Sequence, residues 1–251
     1  MEIPVAKTFL DLLTQYAPVL ALLLQASLLS RFLDSRNRNY PLAILYSVLL
    51  MGITMIAILW QSGVAWLIQI LPQDANARVL SGMEAVMHVV LLILMLQLIN
   101  DTHKERGVAL TRTWALAGLA ALVCAITIYW VYWVEDLRAG ARFNRVRQVI
   151  SFFMVLLNLY WWTLLLGSKK VSRRIMLLST GIGLQMTGQV IGDGVLSFVT
   201  RQDDYFLIIL SNSIMFLTHF LSLGAWYEAF HPKNSPQPSA SLDMAMRKVR
   251  G

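Results

Sequence analysis

Val79-LSGMEAVMHVVLLILMLQL-Ile99 is an almost unbroken apolar run with one acid, Glu84, and one histidine, His88, near its start. At 1.5 Å per residue such a run is long enough to cross a hydrocarbon layer about 30 Å thick. It is the only membrane-length run in the chain that carries both an acid and a histidine. Four residues apart, Glu84 and His88 share one face of a helix. An ionisable side chain at the centre of a bilayer costs about 2.5–3.5 kcal/mol even on the mildest insertion scales. The pair is therefore expected to point into the protein and to find partners there.

Outward from this run the composition repeats the message. Of 251 residues 57% are hydrophobic and 14% charged, where a soluble domain carries about 25% charged residues. The mean hydropathy is +0.60. An all-α polytopic membrane protein is expected, with spans at about 8–30, 41–60, 79–99, 114–134, 148–167, 175–199 and 206–227. These make one seven-helix domain over 1–230, and 231–251 reads as a flexible basic tail. Pro18 is placed to kink the first span, and Pro41 to open the second. Gly63–Leu71 is apolar but too short to cross, and Pro72–Arg78 reads as a polar turn. Tyr129, Trp130, Tyr132 and Trp133 form an aromatic belt ending the fourth span.

Loop charge sets the expected orientation. Fourteen Lys and Arg residues fall on the side holding Arg31, Lys104, Lys169 and the tail, and seven on the other. The excess marks the first side as cytoplasmic, with the N-terminus outside. The net charge of +7 is dispersed over short loops, so membrane topology explains it and nucleic acid is not an expected partner. Cys124, the single cysteine, allows neither an intrachain disulfide nor a cysteine metal cluster.

The ionisable groups expected inside the membrane are Glu84, His88, Asp193 and His219, with Asp11 near the outer end of the first span. Asn158, Gln185 and Gln189 add neutral polarity. Gly181, Gln185, Gln189 and Asp193 recur at intervals of four and form one ridge of a helix. Gly188 and Gly192 on the same helix give a GxxxG spacing suited to close helix packing. Glu84 and Asp193 lie about 8 and 9 Å inside the outer ends of their spans, so they can meet; His219 lies about 20 Å deep and is expected apart from them. Three uses compete: interhelical hydrogen bonding among Glu84, His88 and Asp193, a ligand- or proton-sensing pocket, and a metal site on the same three residues. Outside the membrane, Arg138, Arg142 and Arg145 at i, i+4 and i+7 offer an anion or partner patch, or a solvated face against lipid phosphate.

Covalent retinal is excluded on this reading, because no lysine lies within a span to form the Schiff base, and no other cofactor is expected. Thr218-His219 lacks the second histidine that seven-helix zinc hydrolases use on their last span. The chain resembles a loose group of bacterial seven-helix inner-membrane proteins. The resemblance is carried by the basic loop Arg31–Pro41, Glu84 early in the third span, Arg145-Val-Arg-Gln, and Tyr160-Trp-Trp162. It is also similar to the sensory membrane modules of signalling enzymes, although no effector domain follows Tyr227 in this sequence. The embedded charges lead to the expectation of a non-enzymatic receptor-like sensor, or an accessory subunit of a larger complex, of the inner membrane that acts through a protein partner. A membrane enzyme or transporter using the buried Glu, His and Asp with a proton or metal is the rival. A pigment- or lipid-binding subunit built on His88 or His219 is the third possibility.

Overall fold

The structure is a computed structural model that describes residues 4–33, 40–63, 73–105, 110–134, 139–167, 172–198 and 205–231. The described residues form seven long helices: α1 (Pro4–Leu33), α2 (Pro41–Gln61), α3 (Gln73–Glu105), α4 (Leu110–Tyr129, continued by a π-helical turn over Trp130–Val134), α5 (Ala139–Leu166), α6 (Arg173–Ser197) and α7 (Tyr205–Ala229). All seven are long and apolar enough to span a membrane. The helices overrun several expected limits. Gln73–Arg78, read as a turn, is the first part of α3; Arg142, Arg145 and Arg147 lie within α5 rather than before it; and α1 runs through Pro18 without a break. Hydropathy marks only the apolar middle of a helix, whereas backbone hydrogen bonding carries the helix into its polar ends. Residues 64–71 of the short apolar stretch, and the tail from 232, lie outside the described residues.

Local chemistry sets the ends of α2. Pro41 occupies the first turn, where a missing N–H costs nothing, and the Tyr40 carbonyl accepts from the amides of Ala43 and Ile44 at 3.1 and 3.2 Å. At the other end Gly63 takes φ +70°, the left-handed conformation that closes a helix, with its amide donating to the Trp60 carbonyl.

Neighbouring helices pack in a closed ring, α1–α2–α3–α5–α6–α7 and back to α1, with α4 outside the ring against α3 and α5. The α6–α7 seam is the tightest. A Cβ at Gly188 would fall 1.8 Å from Thr218 Oγ1, so only glycine admits that approach; the GxxxG spacing is used for packing. Near the first turn of α6 the core is aromatic: Phe32 and Phe230 meet edge to face at 4.3 Å, beside Tyr46 and Trp226. Leu91, Leu94, Met95 and Ile99 of α3 bury against Met154 and Trp161 of α5 in the same core. Large apolar side chains cover the outer surface, including Val86, Ile93, Leu122, Ile126, Phe152 and Leu159.

Candidate functional site

The polar ridge of α6 faces the middle of the ring, and each member meets a different helix. Gly181 lies against Trp226 of α7. The Gln185 amide donates to the Tyr46 hydroxyl of α2, and its oxygen accepts from Ser222 of α7 at 3.3 Å. Gln189 meets His88 of α3. Asp193 meets an arginine of α5 that stands outside the expected set, Arg147.

Arg147 is the centre of the arrangement. One terminal nitrogen donates to Glu84 of α3 and the other to Asp193 Oδ1 of α6, the latter at 3.0 Å. A planar guanidinium suits this task because its donors diverge in a fixed fork. The side chains of Arg147 and Asp193 are 15% and 5% exposed, and that of Glu84 is 32% exposed. Asp193 Oδ2 is buried with no hydrogen-bond partner among the described residues. By sequence position Arg147 counts among the outer loop charges. Two signals pointed to it: two embedded acids require a cation, and Arg147 lies two residues from Arg145, about 200° around the helix and so on the opposite face to the arginine stripe.

The His88 ring is held from both sides. Nδ1 lies 2.6 Å from the Glu84 carbonyl, which only accepts, so Nδ1 donates. Nε2 lies 2.8 Å from Gln189 Oε1, so the ring is engaged at both nitrogens. His88 and Glu84 thus do not pair side chain to side chain. The acids are separated by a cation, and among the described residues no three His, Cys, Asp or Glu side chains group to hold a metal ion. The Arg147 guanidinium takes the place between the two carboxylates.

A cavity of about 230 Å³ opens between α2, α3, α6 and α7. Its polar wall is Glu84, His88, Gln185, Gln189, Asn212 and His219; Leu50, Ile53, Met87, Met215 and Phe216 form the apolar remainder. His219, expected apart from the acids, therefore shares a cavity with Glu84, and its Nε2 lies 3.5 Å from Gln25 Nε2 of α1. Depth along one helix did not anticipate this, since a cavity several turns long brings different levels together.

The remaining expected residues are used locally. Arg142 lies over the Tyr132 ring at 5.4 Å, and Arg145 donates to Gln148 Oε1 at 3.3 Å; Arg138 lies outside the described residues. Asn158 accepts from Ser179 Oγ at 3.0 Å. Asp11 lies in α1, whose side chains are described only from Tyr16 onward. His103, which the sequence reading left in a loop, is buried at the far end of α3, with Nδ1 2.8 Å from Thr113 Oγ1 of α4 and Nε2 3.0 Å from Tyr160 OH of α5. Beside it Trp161 Nε1 donates to Thr102 Oγ1. The signal was available: Ile99, Thr102 and His103 continue the inward face of α3 at helical spacing.

The described residues are thus helical, with seven helices of membrane-spanning length, and the site is built around an arginine-bridged acid pair. No protein-family model, curated protein or solved structure matches this chain.

Proposed function

We propose that this chain is a receptor-like sensor of a bacterial inner membrane, with the N-terminus outside and the C-terminus in the cytoplasm. A small ligand enters the cavity between α2, α3, α6 and α7 from the outer side and is read by a protein partner at the cytoplasmic ends. The observation that supports this best is a partly open cavity with Glu84 on its wall, when Glu84 is also one arm of the ion bridge that ties α3 to α5 and α6. A ligand that draws on Glu84 competes with Arg147 and loosens that tie. Helix α3 then carries the change. From Glu84 to His103 it is one rod about 28 Å long, ending in contacts to Thr113 of α4 and Tyr160 of α5. Such a path has physical content only if the bridge has two arrangements, one closed on Arg147 and one open to ligand.

His88 is poorly suited to hold a pigment, since both ring nitrogens are already engaged. Sensing needs only that the wall be reached from water. Asn212→Cys in a Cys124→Ser background tests this with a membrane-impermeant thiol reagent applied from outside. The introduced cysteine is expected to label about tenfold faster than Leu217→Cys on the exposed apolar surface of α7, because the reactive thiolate forms in water and not in hydrocarbon. Equal, slow labelling of both would overturn the reading.

A further inference from the structure

The geometry points to a protonated organic amine with an apolar body as the ligand of this cavity, its ammonium on Glu84 and its body against Phe216, Met215 and Ile53. The inference rests on the receptor reading and adds the chemical class. Its first support is charge. Glu84 and Asp193 share the single guanidinium of Arg147, and among the described residues the second oxygen of Asp193, on a side chain 5% exposed, has no partner. A carboxylate on a partly buried wall favours a cation within reach, and attraction across a low-dielectric wall is little screened. Of the two acids Glu84 is the one that lines the cavity.

Hydrogen-bonding capacity narrows the choice. The His88 nitrogens are engaged by the Glu84 carbonyl and Gln189, and Gln185 by Tyr46 and Ser222. Asn212, by contrast, makes no side-chain hydrogen bond among the described residues. A carboxylate and an amide carbonyl facing one space accept from an ammonium and leave no donor of the ligand idle.

The other wall sets the body. Leu50, Ile53, Met87, Met215 and Phe216 have nothing to offer a hydrated inorganic ion, and no cage of three acidic or imidazole ligands exists among the described residues. They suit an apolar group. Volume gives the size. An apolar cavity of about 150 Å³ holds benzene, six non-hydrogen atoms, so about 230 Å³ suits a molecule of about nine. An arylalkylamine of the dimensions of phenethylamine meets all three requirements.

The test compares three probes of nearly equal size on the unaltered full chain in detergent: radiolabelled phenethylamine, 2-phenylethanol and phenylacetate, by equilibrium dialysis at pH 8. At this pH an imidazole is neutral and an alkylamine protonated. Phenethylamine is expected to bind at least about tenfold more tightly than either of the others, the lower end of what a charge-assisted hydrogen bond contributes. Glu84→Gln, which keeps a hydrogen-bond acceptor for Arg147, is expected to remove that preference. If the alcohol or the acid binds as well as the amine, the amine inference fails and the receptor reading stands. If none of the three binds while Asn212→Cys still labels from outside, the inference again fails alone. If none binds and Asn212→Cys is silent, both fall.

Discussion

Replacing Arg147 by Met removes the one cation between Glu84 and Asp193 while keeping much of the side-chain volume. Both carboxylates lose a donor, but the consequences differ. Glu84 is 32% exposed and can be hydrated; Asp193 is 5% exposed and already has one oxygen unpartnered among the described residues, so it is left with nothing to offset its charge. Breaking a buried pair by removing one partner costs about 3–5 kcal/mol, a fall of roughly 150- to 5,000-fold in the folded-to-unfolded ratio. A neutral interhelical hydrogen bond in a membrane averages about 0.6 kcal/mol, so losing two as such would cost only about 1.2 kcal/mol. The difference between these magnitudes separates a stranded charge from missing hydrogen bonds. Unfolding in micelles, titrated with a denaturing detergent and followed by circular dichroism, measures it. Arg147→Met with Asp193→Asn should recover to within about 1 kcal/mol of the unaltered chain, since no charge is then stranded. A single Arg147→Met variant losing less than about 1.2 kcal/mol, or a double variant no better than the single, would mean that no charge is stranded at Asp193.

Further outcomes are expected in the same assay. Gly188→Ala should lose about 1–3 kcal/mol because its methyl lands on Thr218, whereas Gly82→Ala, with nothing within 4 Å of its added carbon, should gain up to about 1 kcal/mol from helix propensity. Gln189→Leu leaves His88 Nε2 without a partner and should cost about 1–3 kcal/mol; a neutral result would mean that the contact is not formed. Trp161→Phe should cost only about 0.5–1.5 kcal/mol, because the Thr102 hydroxyl still donates to the Leu98 carbonyl. A reporter fused after Gly251 should be active in the cytoplasm alone, and activity confined to the outside would reverse the proposed orientation.

The seven helices were legible because each carries its own signal, a run of apolar residues long enough to register in isolation. The polar ridge of α6 was legible for the same reason, as its members share one helix at a fixed interval. Arg147 was not. Its role depends on Glu84 and Asp193, 63 and 46 residues away, and local composition gave it the appearance of one more loop charge. His103 was missed because hydropathy ends a span at the first polar residues, whereas α3 runs on to Glu105 and buries that ring between α4 and α5. The common cause is that burial of a charged or polar group is decided by partners distant in sequence, which periodicity does not register.

The contact of α1 with α7 joins the two ends of the helical order. A chain inserted from its N-terminus therefore holds an open horseshoe until Tyr205–Ala229 arrives. Throughout that interval Gln25 and Gln185 still lack His219 and Ser222, and the groove face of Gly188 is bare. The last helix to be made is thus the one that closes the ring, covering the Gly188 groove and giving both amides their partners in a single step.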